Sequence, residues 1–293
     1  MGGGQYPTAC KDSVVQWPAG SAIQSTTPAL AHPPQPGRLV IALISDLHSN
    51  LEALEAALRD MESFSVRSII CLGDVVGYGA NPREVIQKTR EVCDYVLQGN
   101  HDAALLDERD TRGFNERALL AIDWTRRSLD PELEQHWELW DWLGELHPSM
   151  ELHPGNGAEA VQLVHASPRE PLSEYLLPNL GGGTSKVQAN FEAAHHRISF
   201  FGHTHHPGYF AEGQDFTRAV GHDELRLEAN RRYLINVGSI GQPRDGDSRA
   251  AYALFDGEAV RWRRVEYDTQ AASRRIGEAG LPESLAARLL VGR

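Results

Sequence analysis

Apolar residues run without a break through Leu39, Val40, Ile41, Ala42, Leu43 and Ile44, the pattern of a strand buried on both faces of a sheet. A polar stretch follows. Leu51, Leu54, Leu58 and Met61 then recur at helical spacing, with Ser49 or Asn50 available as the N-cap. Residues 68–72 read as a second buried strand, Asn81-Pro82 as a cap with proline at the first helical position, and residues 95–98 as a third short strand. This βαβαβ order predicts an α/β domain with parallel neighbours and right-handed crossovers, its post-strand loops gathered on one rim.

Residues 114–146 carry Leu119, Ile122, Trp137, Trp140 and Leu143 at mixed spacings of three and four, with Pro131 restarting the pattern. They predict two helices of a small helical insertion, about residues 103–148, in which Trp137, Trp140 and Trp142 serve the core. Beyond it come short strand-like runs at 161–165, 198–201, 225–227, 233–237, 251–255 and 259–265. Thr269 can cap a final helical segment that breaks again at Leu281-Pro282. Before residue 38 the chain is rich in Gly, Pro, Ser and Thr without periodicity, which predicts a flexible tail over 1–37 and one domain over 38–293.

Composition narrows the function. The 293 residues are 41% hydrophobic and 23% charged, enough apolar surface for a large core. A formal net charge of -12 speaks against a stable complex with nucleic acid or an anionic membrane, where clustered cations must replace counterions. It leaves a phosphorylated substrate open, because bound cations reverse the potential locally. No run approaches the ~18 apolar residues of a membrane span. Cys10, Cys71 and Cys93 form no C-x-x-C pair, so a reducing cytoplasmic setting fits them. A dinucleotide fingerprint, a P-loop and a G-x-S-x-G elbow are all missing.

Chemistry concentrates in the loops after the expected strands: Asp46-Leu47-His48, Gly73-Asp74, Gly99-Asn100-His101-Asp102, His165, and Gly202-His203-Thr204-His205. Carboxylate and amide oxygens mixed with imidazole nitrogens suit Mn, Fe, Zn, Co or Ni, whereas an all-oxygen set would suggest Mg or Ca. If the D-x-H and H-x-H segments are extended, alternate residues point the same way and grip a cation together, turning His206 aside. His195 and His196 read as surface or capping residues. Arg169 and Arg244, in loops after strands, are candidates for holding a substrate phosphate through a bidentate fork.

The ordered set DLH, GDVVG, GNHD, H and GHTH resembles the calcineurin-like metallophosphoesterase superfamily over about residues 39–267. The phrases at 73–85, 165–177 and 235–247 are more similar to its bacterial branch grouped with diadenosine tetraphosphate hydrolases and type 2A protein phosphatases. The resemblance implies a four-layer α-β-β-α sandwich of two mixed sheets flanked by helices. It implies two divalent transition-metal ions, Mn foremost: one held by Asp46, His48, Asp74 and His205, the other by Asp74, Asn100, His165 and His203.

It further implies in-line attack on phosphorus by a water made acidic between the metals, with Asn100 also touching substrate. His101 would protonate the leaving oxygen and Asp102 would orient it. The expected substrate is a phosphomonoester or phosphodiester, a small nucleotide among the options. A Ser/Thr-type protein phosphatase is an alternative, although that group's GDxVDRG arginine has no match in Gly73-Asp74-Val75-Val76-Gly77-Tyr78-Gly79, with Arg83 the nearest in the following segment. A non-catalytic metal-binding scaffold is the third reading, and it requires a lost ligand where none is lost.

Overall fold

A computed structural model describes the backbone of residues 14–15 and, more fully, residues 40–111, 113–155 and 157–293. The expected tail over 1–37 lies outside the described residues except for β1 (Val14–Val15). The first half alternates as its pattern predicts: β2 (Val40–Ile44), α1 (Leu51–Met61), β3 (Val66–Cys71), α2 (Pro82–Val92) and β4 (Tyr95–Val96). Asn50 is the cap of α1, its Oδ1 accepting the Ala53 amide at 3.1 Å. Asn81 precedes Pro82 but makes no side-chain cap bond, so proline's fixed φ alone favours that start.

Three helices then follow, α3 (Asn100–Leu106), α4 (Glu116–Ser128) and α5 (Glu134–Gly144). The remainder is β5 (Ser149–Leu152), β6 (Val161–Val164), α6 (Ser185–Ala193), β7 (Ile198–Phe201), β8 (Gly208–Ala211), β9 (Thr217–Arg218), β10 (Glu224–Arg226), β11 (Tyr233–Asn236), β12 (Ala250–Phe255), β13 (Ala259–Val265), α7 (Thr269–Glu278) and α8 (Glu283–Leu289). Asp268, not Thr269, caps α7.

The strands form two mixed sheets, ordered β1-β5-β6-β7-β11-β8-β9 and β10-β13-β12-β2-β3-β4. Period-two alternation explains the layering. Ile41 and Leu43 of β2 point between the sheets, where they meet Leu163, Phe200 and Ile235 of the facing sheet and Trp262 of β13. Val40, Ala42 and Ile44 point the other way, onto Leu54 of α1, Ile86 of α2 and Leu143 of α5. The far face of the other sheet buries Phe201, Phe210 and Leu234 against Val187 and Phe191 of α6. The result is the four-layer α-β-β-α sandwich, with eight α-helices among the described residues. Phe200 has no exposed surface, and truncating such a residue to alanine costs about 3–5 kcal/mol.

Two parallel triplets set up the site. In one sheet β2, β3 and β4 run together, in the other β6, β7 and β11, so six carboxyl ends release their loops from neighbouring strands. The tryptophans divide: Trp140 and Trp142 pack on the core, but Trp137, expected with them, is 53% exposed and donates its indole N–H to the Pro131 carbonyl.

Candidate metal centre

Asp46 and His48 follow β2, Asp74 follows β3, Asn100 opens α3 just after β4, His165 follows β6, and His203 and His205 follow β7; all seven are buried. The extended geometry expected for the D-x-H and H-x-H segments is not what forms. Asp46, His48, Asp74, His203 and His205 have φ of 55°, 47°, 54°, 59° and 60°, all in the left-handed region. Sharp turns therefore aim these side chains, at a cost on the order of 1 kcal/mol or more each, which the surrounding structure must offset. It does so by lacing the loops together. Asp46 N donates to Gly73 O, His48 N to Asp74 O, Ile240 N to Ser45 O and Gly241 N to Asp46 O.

Two glycines permit the close approach. A Cβ on Gly99 would lie 2.1 Å from Asp74 Oδ1, and one on Gly202 would lie 2.5 Å from Asp46 Oδ2.

The donor atoms fall into two groups that share Asp74. One is Asp46, His48, Asp74 and His205; the other is Asp74, His165 and His203; within each, the atoms lie within 4.8 Å of one another. Asp74 Oδ2 sits 3.6 Å from His48 Nε2 and 3.5 Å from His165 Nε2, the position of a carboxylate serving both groups. Asn100 Oδ1 is 3.1 Å from His165 Nε2 and joins the second.

Tautomers follow from the outer partners. His48 Nδ1 lies 3.1 Å from the Val76 carbonyl, His205 Nδ1 2.5 Å from that of Gln242, and His165 Nδ1 2.8 Å from that of Leu72. Carbonyls only accept, so each Nδ1 carries the hydrogen and each Nε2 presents a lone pair inward. His203 is reversed, with Nε2 against the Ser173 carbonyl at 3.2 Å.

This set fits a divalent metal centre. Burial drives the imidazoles of His48, His203 and His205 well below the ordinary histidine range, so they stay neutral, and raises Asp74 well above the carboxylate range, with Asp46 raised as well. Asp46 Oδ1 is buried without a hydrogen-bond donor. Neutral lone pairs and desolvated carboxylates crowded together call for a cation.

Around this cluster the other expected residues take up varied positions. The His101 ring lies 4.4 Å from Tyr78, 4.6 Å from Phe114 and 4.9 Å from His48, centroid to centroid, and its Nδ1 is buried without a partner. Asp102 does not orient it. The Asp102 carboxylate accepts the amides of Val75, Val76 and Gly99 at 3.0, 3.1 and 2.9 Å, because the first turn of α3 directs it back into the Gly73–Gly77 loop. Arg169 is ion-paired with Glu174. Arg244 lies at the site, its amide 3.3 Å from the His205 carbonyl and its guanidinium on Gln242 Oε1. Arg83 is turned onto His136 of α5. His206 lies outside both donor groups, its Nδ1 at the Thr204 carbonyl.

Two residues of the site were not among the sequence candidates, although Tyr175 lies within the resembling phrase at 165–177. The Tyr175 ring lies 4.0 Å from that of His203 and is 44% exposed, an aromatic surface beside the ligands. Arg288 reaches in from α8, more than 80 positions beyond the last ligand, where no motif marks it.

Among the described residues no helix is long and apolar enough to cross a membrane. The sequence description of the calcineurin-like phosphoesterase superfamily domain matches residues 39–259. An uncharacterized protein of Methanocaldococcus jannaschii is 36% identical over 257 residues, spanning 87% of this chain and 98% of its own. A metallophosphoesterase from Sphaerobacter thermophilus, solved as a crystal structure, is 36% identical with a TM-score of 0.73, covering 88% of this chain and all of that one. A hypothetical protein from Pyrococcus horikoshii shares the fold at 21% identity, TM-score 0.68, covering 87% and 99%.

Proposed function

Since the chain belongs to the calcineurin-like phosphoesterase superfamily and is a metal-dependent phosphoesterase, we propose that it hydrolyses phosphomonoesters or phosphodiesters of small molecules, nucleotides included, in the cytoplasm. The observation that carries this reading is the pair of buried donor groups sharing Asp74. Two divalent transition-metal ions, Mn foremost, would be held there, and when bound they supply Lewis-acid charge for the phosphoryl oxygens and an acidified water as nucleophile.

The chain's own groups do the rest. Asp74, facing both donor groups, would offset the repulsion of two cations held there. Asn100 keeps an amide near the phosphoryl group, and Arg244 adds a permanent positive charge beside the ligands. His101 donates the proton to the leaving oxygen. Burial holds its ring neutral until phosphate binds, and the incoming negative charge then favours the protonated form. Arg169 takes no part in this reading, because Glu174 already occupies its guanidinium. The orientation of Arg83 toward His136 supports small substrates over phosphoproteins.

The test is metal analysis of the purified chain followed by assays, with added Mn, of aryl monoesters, aryl diesters, cyclic nucleotides and phosphopeptides. Hydrolysis of an aryl ester is expected, lost together with bound metal in Asp74→Asn. Folded, fully metal-loaded protein inert across the panel would overturn the reading.

A further inference from the structure

Beside the metal cluster, two guanidinium groups converge on one ring and one acceptor. The Arg244 carbon Cζ lies 5.6 Å from the centroid of Tyr78 and that of Arg288 lies 6.0 Å from it. Both arginines also donate to Gln242 Oε1, Arg244 at 2.8 Å through Nη2 and Arg288 at 3.3 Å through Nη1. The main chain of the same Gln242 anchors ligand His205, and the Tyr78 ring touches ligand His48 at 4.7 Å, so two separate routes connect the arginine pair to the ligands.

Neither arginine is ion-paired with an Asp or Glu among the described residues, although 40 such residues give the chain its net charge of -12. Arg288 Nε also donates to the main-chain oxygen of Arg293. Like charges held this close, half-buried, repel, and Arg117 adds a third positive charge at Arg288. Burial and these neighbours pull Arg288 down to about 10. A fold that keeps such a pair without a directly ion-paired Asp or Glu leaves anion-binding capacity unspent.

We infer that Arg244 and Arg288 form a second phosphoryl subsite, which selects substrates carrying two phosphoryl groups joined by a short bridge, as in a nucleoside polyphosphate. The inference rests on the phosphoesterase reading, in that the first phosphoryl group occupies the metal cluster. Arg288 belongs to α8, past the end of the superfamily match at residue 259, so this selectivity draws on a helix outside the matched domain.

The test is calorimetric titration of the full, Mn-loaded chain with methylphosphonate, methylenediphosphonate and propane-1,3-diyldiphosphonate. The short diphosphonate should bind at least about tenfold more tightly than the monophosphonate. Arg288→Gln should collapse that gap to about threefold or less, Arg244→Gln should also narrow it, and Arg288→Lys should retain part of it. A gap unchanged in folded Arg288→Gln assigns the gain to the metals alone and overturns the subsite, as does equal binding of all three ligands by wild type. Preference for the propane-bridged ligand overturns the short-bridge class. Because the readout is affinity, failure to hydrolyse any ester sinks the phosphoesterase reading and leaves this result standing.

Discussion

His48 and His205 face each other through their Nε2 atoms at 3.1 Å, each with its Nδ1 already donating to a main-chain carbonyl. No hydrogen remains to bridge the two lone pairs, and Asp46 Oδ1 stands 3.1 Å from His205 Nε2. The contact is favourable only around a cation. Metal removal is therefore expected to destabilise the whole fold. At a hundredfold excess over its Kd a bound metal contributes about 2.7 kcal/mol. For a chain of this size, with an unfolding entropy of about 2.1 cal/mol/K per residue, that is a rise in Tm of roughly 4–5 °C. Calorimetric scans of chelated and Mn-supplemented protein check this; identical transitions, with no metal retained, would remove the basis for the site.

Gly77 controls His101. Its φ of +94° is closed to most side chains, and a Cβ there would lie 2.4 Å from His101 Nδ1. Gly77→Ala is expected to push the ring from its place between Tyr78 and Phe114 while leaving the metal ligands seated. The proton-donor role proposed for His101 then predicts a fall in kcat of about 10²-fold or more with metal content retained, and a similar loss in His101→Asn. Full activity in metal-loaded His101→Asn would sink that role.

Much of this architecture is legible in the sequence, because buried strands read as continuous apolar runs and ligands sit just after them. Val40–Ile44 followed by Asp46 and His48 is the clearest case. What is not legible has physical causes. Nothing in D-L-H announces a left-handed backbone at Asp46 and His48, since that conformation is imposed by hydrogen bonds to Gly73 and Asp74 across the sheet. The strands Ser149–Leu152 and Gly208–Ala211 span only four residues each, too short for a period to show, and neither is a continuous apolar run. Arg288 resembles any helical surface arginine until α8 packs beside Tyr78. Asp102, adjacent in sequence to His101, invites a pairing that the first turn of α3 prevents.

That displacement gives Asp102 a different consequence when altered. Its carboxylate satisfies three buried amides, those of Val75, Val76 and Gly99, in the loop that carries Asp74. Asp102→Ala strands all three, and each unsatisfied buried group costs about 1–3 kcal/mol. A loss of roughly 3 kcal/mol or more is expected in urea unfolding, with a smaller loss for Asp102→Asn, which keeps one oxygen acceptor. The pH profile of turnover in Asp102→Asn should keep its shape; a displaced limb would restore Asp102 as the partner of His101.

The acid–base behaviour of the metal-free site follows from the direction of its shifts. Asp74 is held well above the ordinary 3.8 by burial and by neighbouring Asp46, so the folded chain keeps a proton that the unfolded chain has released. Its contribution to stability is thus present below 3.8 and lost as pH rises through the folded value. His48, His203 and His205 act oppositely. They stay neutral in the fold while the unfolded chain takes up protons near 6.5, so their contribution is present above that value and lost below it. A cation requires carboxylate and neutral imidazole together. The histidines are already neutral, so the protons displaced on binding come from the carboxyl groups. Mn binding near pH 5–6 should therefore release protons, where an ordinary carboxylate would have none to give. The stabilisation by Mn should also grow as pH rises. Titration in two buffers of different ionisation enthalpy measures this directly: heats that differ between the buffers are expected, and equal heats would show the carboxyl groups already ionised in the metal-free fold.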